Sequence, residues 1–133
     1  MKIDINSDVG EGVKNEHLLI PYISSCNIAC GGHFGDVYSM DKTIKLALEN
    51  DVKIGAHPSF PDKENFGRKL MQISDNHFKK SIQSQLDLFS DRLSKVDAKL
   101  NSIDTDILTK QNIIDNSNKL NSSFIDISSS NLQ

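Results

Sequence analysis

Four short runs in the first half of the chain hold side chains suited to acid–base or metal chemistry. They are Asp4-Ile-Asn-Ser-Asp-Val-Gly-Glu11, Asn27-Ile-Ala-Cys-Gly-Gly-His-Phe-Gly-Asp36, Gly55-Ala-His-Pro-Ser-Phe-Pro-Asp62 and Phe66-Gly-Arg68. In the first run Asp4, Asn6 and Asp8 alternate, with Glu11 beyond Gly10. Alternation along a strand sets same-face side chains about 7 Å apart, close enough for successive carboxylates to share a ligand or a metal ion. A polar strand edge running into a turn is the competing explanation. In the second run Gly31-Gly32 could offer backbone amides to an anion. His33 follows, and Asp36 either orients that imidazole or caps the next helix. His57 ends an apolar stretch just before Pro58. Arg68 beside Gly67 suits a carboxylate clamp, and Asp62 shares its loop. A lone histidine is more often structural, but two at successive strand ends favour function. His17 and His77 lack such a context and read as surface residues.

The residue types therefore point to a hydrolytic or acid–base site built from carboxylates and imidazoles. A divalent metal would find candidate ligands in Asp8, His33 and His57. Neither Gly-x-x-x-x-Gly-Lys-Ser/Thr nor Gly-x-Gly-x-x-Gly occurs, so the two common nucleotide-binding loops are missing. A Gly-x-Ser-x-Gly nucleophile elbow is missing as well.

Those side chains need elements to position them. Lys2 to Asn6 alternates apolar and polar residues and predicts a first strand. Leu18 to Tyr22 is a short helical or irregular piece ended by Pro21. Ser25 to Ala29 predicts a second strand, closed by Gly31-Gly32. Val37 to Asn50 carries Met40, Ile44, Ala47 and Leu48 at helical spacing, with Asn50 or Asp51 in a left-handed conformation at its end. Val52 to Ala56 predicts a third strand, and residues 57–73 form a long loop of the length that usually serves function. Ser74 would cap a helix whose apolar stripe is Phe78, Ile82, Leu86, Phe89, Leu93, Val96 and Leu100. Strands and helices in this order predict an α/β fold with a parallel sheet. Its strand ends would gather the polar runs on one rim.

Past residue 101 the composition changes to Asn, Ser, Asp and Ile, without Gly or Pro. The expected division is an α/β part over 1–101 and a divergent tail over 102–133. A weak helix is expected at Asp104 to Leu120 and a polar, disordered end at Ser122 to Gln133.

The chain has 133 residues, 37% of them hydrophobic, with a formal net charge of -3. Its pI is near 5.7. That balance argues against nucleic acid or an anionic membrane as a partner. No apolar run approaches the roughly 20 residues a bilayer requires, so a cytoplasmic protein is expected. Cys26 and Cys30 flank the second strand about 13 Å apart when extended, too far for a disulfide. Cys26 reads as a small buried residue, while Cys30 could equally line a pocket.

Taken together, the four runs resemble the LamB/YcsF family, the A subunit of the bacterial ATP-dependent 5-oxoprolinase. The matching segments are Asp4 to Glu11, Ser24-Ser-Cys-Asn-Ile-Ala-Cys-Gly-Gly-His-Phe-Gly-Asp36, Ile54 to Asp62 and Asn65-Phe-Gly-Arg-Lys69. They fall in the family's order and spacing over residues 1–100.

The resemblance implies a partial (β/α) barrel of the glycoside hydrolase/deacetylase type. It further implies cleavage of 5-oxo-L-proline to L-glutamate coupled to ATP hydrolysis, with two companion subunits. On that basis Asp8, Glu11, His33 and His57 would activate water or move protons. Asp4, Asn6, Asn27, Asp36, Asp62 and Arg68 would contact substrate, with Arg68 on its carboxylate. Similar sequences continue past the long helix with a strand and Lys-Pro-His-Gly-Ala-Leu-Tyr-Asn. Here Leu100-Asn101 is followed by Ser102-Ile-Asp-Thr-Asp, as expected for a truncated or frame-shifted chain.

Gly32 stands where similar sequences often carry an aromatic residue. Three strands cannot close a barrel, so homo-oligomerisation, a completing partner, a tail that covers the gap, or poor stability is expected. Two other readings use the same residues. One is a metal-dependent, deacetylase-like hydrolase; the other is a non-catalytic fragment that binds the companion subunits.

Overall fold

The computed structural model describes residues 3–130. The elements run β1 (Asn6–Val9), α1 (Glu16–Leu19) with a following 3-10 turn (Ile20–Tyr22), β2 (Ser25–Ala29), α2 (Val37–Glu49), β3 (Lys53–His57) and α3 (Asp75–Ser130). Two compact units meet at Asp97 and Ala98. The unit up to Asp97 holds the sheet and the polar runs.

Its sheet is parallel throughout, in the order β1-β2-β3. Register aligns Asp8 with Asn27 and Asn27 with Gly55, and then Ala29 with His57. The segments that leave the three strands at Gly10, Cys30 and Pro58 therefore depart from one edge.

Strand boundaries differ from those expected. Ile3 and Ile5 are exposed, and the Ile5 carbonyl accepts the amides of Ser24 and Ser25 at the entry to the ladder. The alternation of Ile3 and Ile5 reflects no burial, and pairing starts only at Asn6 opposite Ser25. Val9 is the β1 residue that enters the core. β3 reaches one residue further than expected, because His57 pairs with Ala29 and belongs to the strand itself. Pro21 lies in the first turn of the 3-10 helix, directly after Ile20, where its missing amide hydrogen costs little.

α2 begins at Asp36, whose carboxylate accepts the Ser39 amide while the Ser39 hydroxyl accepts the Asp36 amide. This reciprocal cap satisfies two otherwise orphaned donors. The helix ends at Asn50, and Asp51 takes the left-handed conformation at φ 55. Met40, Ile44 and Ala47 of α2 are buried in one cluster with Val9, Ile20, Cys26, Ile28 and Val52. Each large aliphatic side chain in it contributes about 1.5–3 kcal/mol through burial. Phe89 joins the cluster, with Leu93 and Val96 against it. The apolar stripe of α3 departs from expectation at one turn, where Gln85 is buried and Leu86 exposed.

Beyond Ala98, α3 continues through the point where the composition changes, and helix persists to Ser130 where a disordered end was expected. The last residues of that end, 131–133, lie outside the described residues. Every residue from 101 to 119 is exposed. Among the described residues no helix is long and apolar enough to cross a membrane.

Candidate functional site

The strand-end segments bring the polar runs to one cleft of about 340 Å³. Asp8, Glu11, His33, His57 and Arg68 line it with Ser59, Phe60, Phe66 and Gly67. At its centre one ligand atom each from Glu11, His33 and His57 lies within 4.8 Å of the other two.

His33 is the most enclosed of these groups, 2% exposed. Its Nε2 lies 2.7 Å from Glu11 Oε1 and its Nδ1 lies 2.7 Å from Ser59 Oγ. His57 Nε2 stands 3.4 Å from Glu11 Oε1 and 3.8 Å from Asp8 Oδ2. The two imidazoles meet edge to face with centroids 4.8 Å apart. Phe66 also meets His33 edge to face, with centroids 4.8 Å apart.

The loop after β3 builds this wall. Asp62 accepts the Asn65 side-chain amide at 2.8 Å and the backbone amides of Asn65 and Lys69. Chiefly through the Asn65 side-chain bond, its carboxyl is held below the usual carboxylate range. Phe66 then takes φ 58 and Gly67 φ 71. A left-handed Phe is uncommon, and such strain clusters at working sites. At Gly67 a Cβ would come within 3.1 Å of the His33 Cβ, so a side chain there would have to push His33 aside as well as adopt the left-handed backbone. Arg68 stacks over Phe66 with its guanidinium carbon 5.2 Å from the ring centroid.

The expected substrate contacts divide into groups. Asn27 donates to Asn6 Oδ1 at 3.0 Å and to Asp8 Oδ1 at 3.1 Å, so these three form one polar row beside the cleft. That row leaves Asp8 Oδ2 facing His57. It also lies over Gly55, where a Cβ would stand 2.7 Å from Asn27 Oδ1. Asp4 is exposed ahead of β1 and does not line the cleft. Asp36 is engaged as the α2 cap, and the Ser39 amide holds its carboxyl below the usual range. Asp62 shapes its loop.

Among the described residues, the ligand atoms gathered closely enough for a metal are those of Glu11, His33 and His57, whereas the sequence suggested Asp8 in place of Glu11. Asp8 accepts from Asn27 through Oδ1, and its Oδ2 stands 3.8 Å from His57 Nε2. Ligands about 2.0–2.1 Å from a tetrahedral ion sit roughly 3.4 Å from one another. Glu11 Oε1 and His57 Nε2 already stand at 3.4 Å. The 2.7 Å contact of Glu11 with His33 would open slightly. Two imidazoles and a carboxylate fit a divalent ion such as zinc.

Sequence reasoning left Ser59, Phe66 and Gln85 without roles. Ser59 and Phe66 sit inside runs already singled out, but nothing in their types marked them. Gln85 lies on a predicted helix and carried no signal. Glu16 was also missed. It accepts the Gly10 amide at 2.7 Å and the Thr43 hydroxyl, tying the end of β1 to α2.

Both cysteines are free and buried. Burial, followed by the Glu16 carboxylate, pushes the Cys26 thiol up to about 11. Burial raises Cys30 too, opposed by the His57 backbone amide. Neither is poised as a nucleophile. Cys30 borders a second cleft of about 420 Å³ together with Gly31, Gly32, Gly35, Lys63 and Gln85. The Gly31 amide is bonded to the Phe34 carbonyl and so is not offered to an anion.

Comparison with known proteins places these features in context. The sequence model of the LamB/YcsF family matches residues 3–116. Among solved structures, the chain is similar to the lactam utilization protein from Thermus thermophilus, at 34% identity and a TM-score of 0.67. The match covers 71% of this chain and 40% of that one, so the chain spans well under half of that protein's length.

Proposed function

The chain belongs to the LamB/YcsF family, and from that premise we propose that its cleft opens a lactam, with 5-oxo-L-proline as substrate and L-glutamate as product. In this reading the parallel sheet is part of a (β/α) barrel, and the chain acts as the A subunit of an ATP-dependent 5-oxoprolinase with two companion subunits. The observation that carries it is the convergence of Glu11, His33 and His57 at the strand ends.

The chemistry follows from the positions. Water adds to the lactam carbonyl carbon and gives up a proton, the ring C–N bond breaks, and the departing nitrogen takes a proton. His57 is the imidazole open enough to reach substrate, with 32% of its side chain exposed. It accepts the proton from water and returns one to the nitrogen. Asp8 and Glu11 flank its Nε2 and stabilise the imidazolium that forms. Arg68, backed by the Phe66 ring, holds the ring carboxylate of the substrate. The sequence holds neither of the two common phosphate-binding loops, and no step above is routed through ATP. In this proposal the coupling belongs to the assembly with the companion subunits.

A second reading, a metal-dependent hydrolase, is favoured by the 3.4 Å separation of Glu11 Oε1 and His57 Nε2. A divalent ion there would polarise a carbonyl and acidify a bound water.

The test of the first reading is release of glutamate from 5-oxoproline by the chain mixed with its companions and ATP. Removing a general base typically lowers turnover about 10²–10⁴-fold, and His57→Ala is expected to do so. Zinc titration of the chain separates the second reading. One equivalent bound, and lost in Glu11→Gln, would favour it; no binding would leave the first reading alone.

A further inference from the structure

We propose that Ser59, clamped by Gln85, is the positioning residue that anchors the His33 ring and keeps its Nε2–H directed at Glu11. A carboxylate only accepts hydrogen bonds, so the 2.7 Å contact with Glu11 places a proton on His33 Nε2. Nδ1 must then accept, and the donor within reach is the Ser59 hydroxyl at 2.7 Å. That hydroxyl has a second outlet, the Phe60 carbonyl at 3.2 Å. Both ring nitrogens are then bonded, and the residue is only 2% exposed.

Gln85 makes this possible from α3. Its Oε1 accepts the Ser59 amide at 3.0 Å and its Nε2 donates to the Ser59 carbonyl at 2.8 Å. A third bond, from Nε2 to Ser81 Oγ at 3.3 Å, steadies the amide. The side chain is buried, although it interrupts the apolar stripe of its helix. Such placement of a glutamine costs desolvation unless its polar atoms are satisfied, and here both of them are. Space for the clamp comes from Gly32. A Cβ there would lie 2.5 Å from Gln85 Oε1 and 2.6 Å from Ser59 Oγ. Gly32 is not among the positive-φ residues, so alanine at this position tests space alone.

For its bearing on catalysis the inference rests on the lactam-opening reading, but its test does not. The experiment is proton exchange of the His33 Nε2–H signal by NMR, on the full chain with labelled histidine at fixed neutral pH. No companion, substrate or metal is added. Wild type and Ser59→Thr are expected to show a protected signal. Ser59→Ala, Gln85→Ala and Gly32→Ala are expected to exchange about tenfold faster, the change that loss of one buried hydrogen bond gives. Thermal midpoints measured in parallel identify any variant that has lost its fold. Unchanged exchange in Ser59→Ala would overturn the proposal, because Glu11 and Phe66 alone would then hold the ring. Unchanged exchange in Gln85→Ala alone would overturn the clamp. Failure of glutamate release would count against the lactam reading and leave this result standing.

Discussion

Two stretches of the chain use polar residues in opposite ways. In the unit that ends at Asp97, polar side chains bridge segments far apart in sequence. Glu11 meets His33, Asn27 meets Asp8, Gln85 meets Ser59, and Arg92 makes a two-point contact with Asp41. Arg92 is held above its ordinary value, first by that hydrogen bond. Between residues 101 and 118 of α3 the side-chain bonds among the described residues are local. Thr105, Thr109 and Ser117 bond back to carbonyls one turn earlier, and Gln111 meets Asp115 on the next turn. Back-bonding of this kind adds little to a helix and slightly opposes it. Polar chemistry becomes a site only where a fold ties distant segments together, and the first stretch does this while the second does not.

That contrast yields ordered expectations. The largest effect belongs to the core beneath the site. Ile28→Ala should cost about 2–5 kcal/mol in urea unfolding, because its cavity cannot collapse between sheet and helix. The matched change Ile107→Ala, on an exposed residue, should stay within about 0.5 kcal/mol. Comparable losses at the two positions would break the comparison.

The smallest effect tests the α2 cap. The Asp36 carboxyl is lowered in the folded chain. Its stabilisation is therefore present above the unfolded value of about 3.9 and is lost as pH falls through the lower folded value. Asp36→Ala should lower the melting temperature slightly at neutral pH and have no effect in strong acid. A difference that persists in strong acid would show that the cap acts through something other than its charge.

Much of this arrangement was legible in the sequence, for physical reasons. Met40, Ile44 and Ala47 recur with the helical period, so α2 and its buried face followed. Asp36 and Asp51 have side chains that suit a cap and a left-handed end, and both took those positions. The parallel order followed from alternation of strands with helices. Register was not legible. Ile3 and Ile5 alternate as a strand would, yet pairing begins at Asn6 because β2 decides where the ladder starts. Of the site, Asp8, Glu11, His33, His57 and Arg68 could be named because catalytic residue types stood beside strand ends. Ser59 and Gln85 could not, since a serine in a loop and a glutamine on a helix are ordinary until the fold presses them against an imidazole. The helix beyond Leu100 was also missed in extent, because its Asn and Ser content reads as tail when no tertiary contact decides.

The central claim, that Glu11 and His57 act as one site, is tested most directly by a double-mutant cycle on glutamate release. Glu11→Gln, His57→Ala and the double variant are compared, each with the companion subunits and ATP. Residues that act as a unit show strongly non-additive losses. The account predicts that either single change lowers turnover at least about 10²-fold and that the second adds little. Turnover unchanged by either change, or losses that simply multiply, would contradict it.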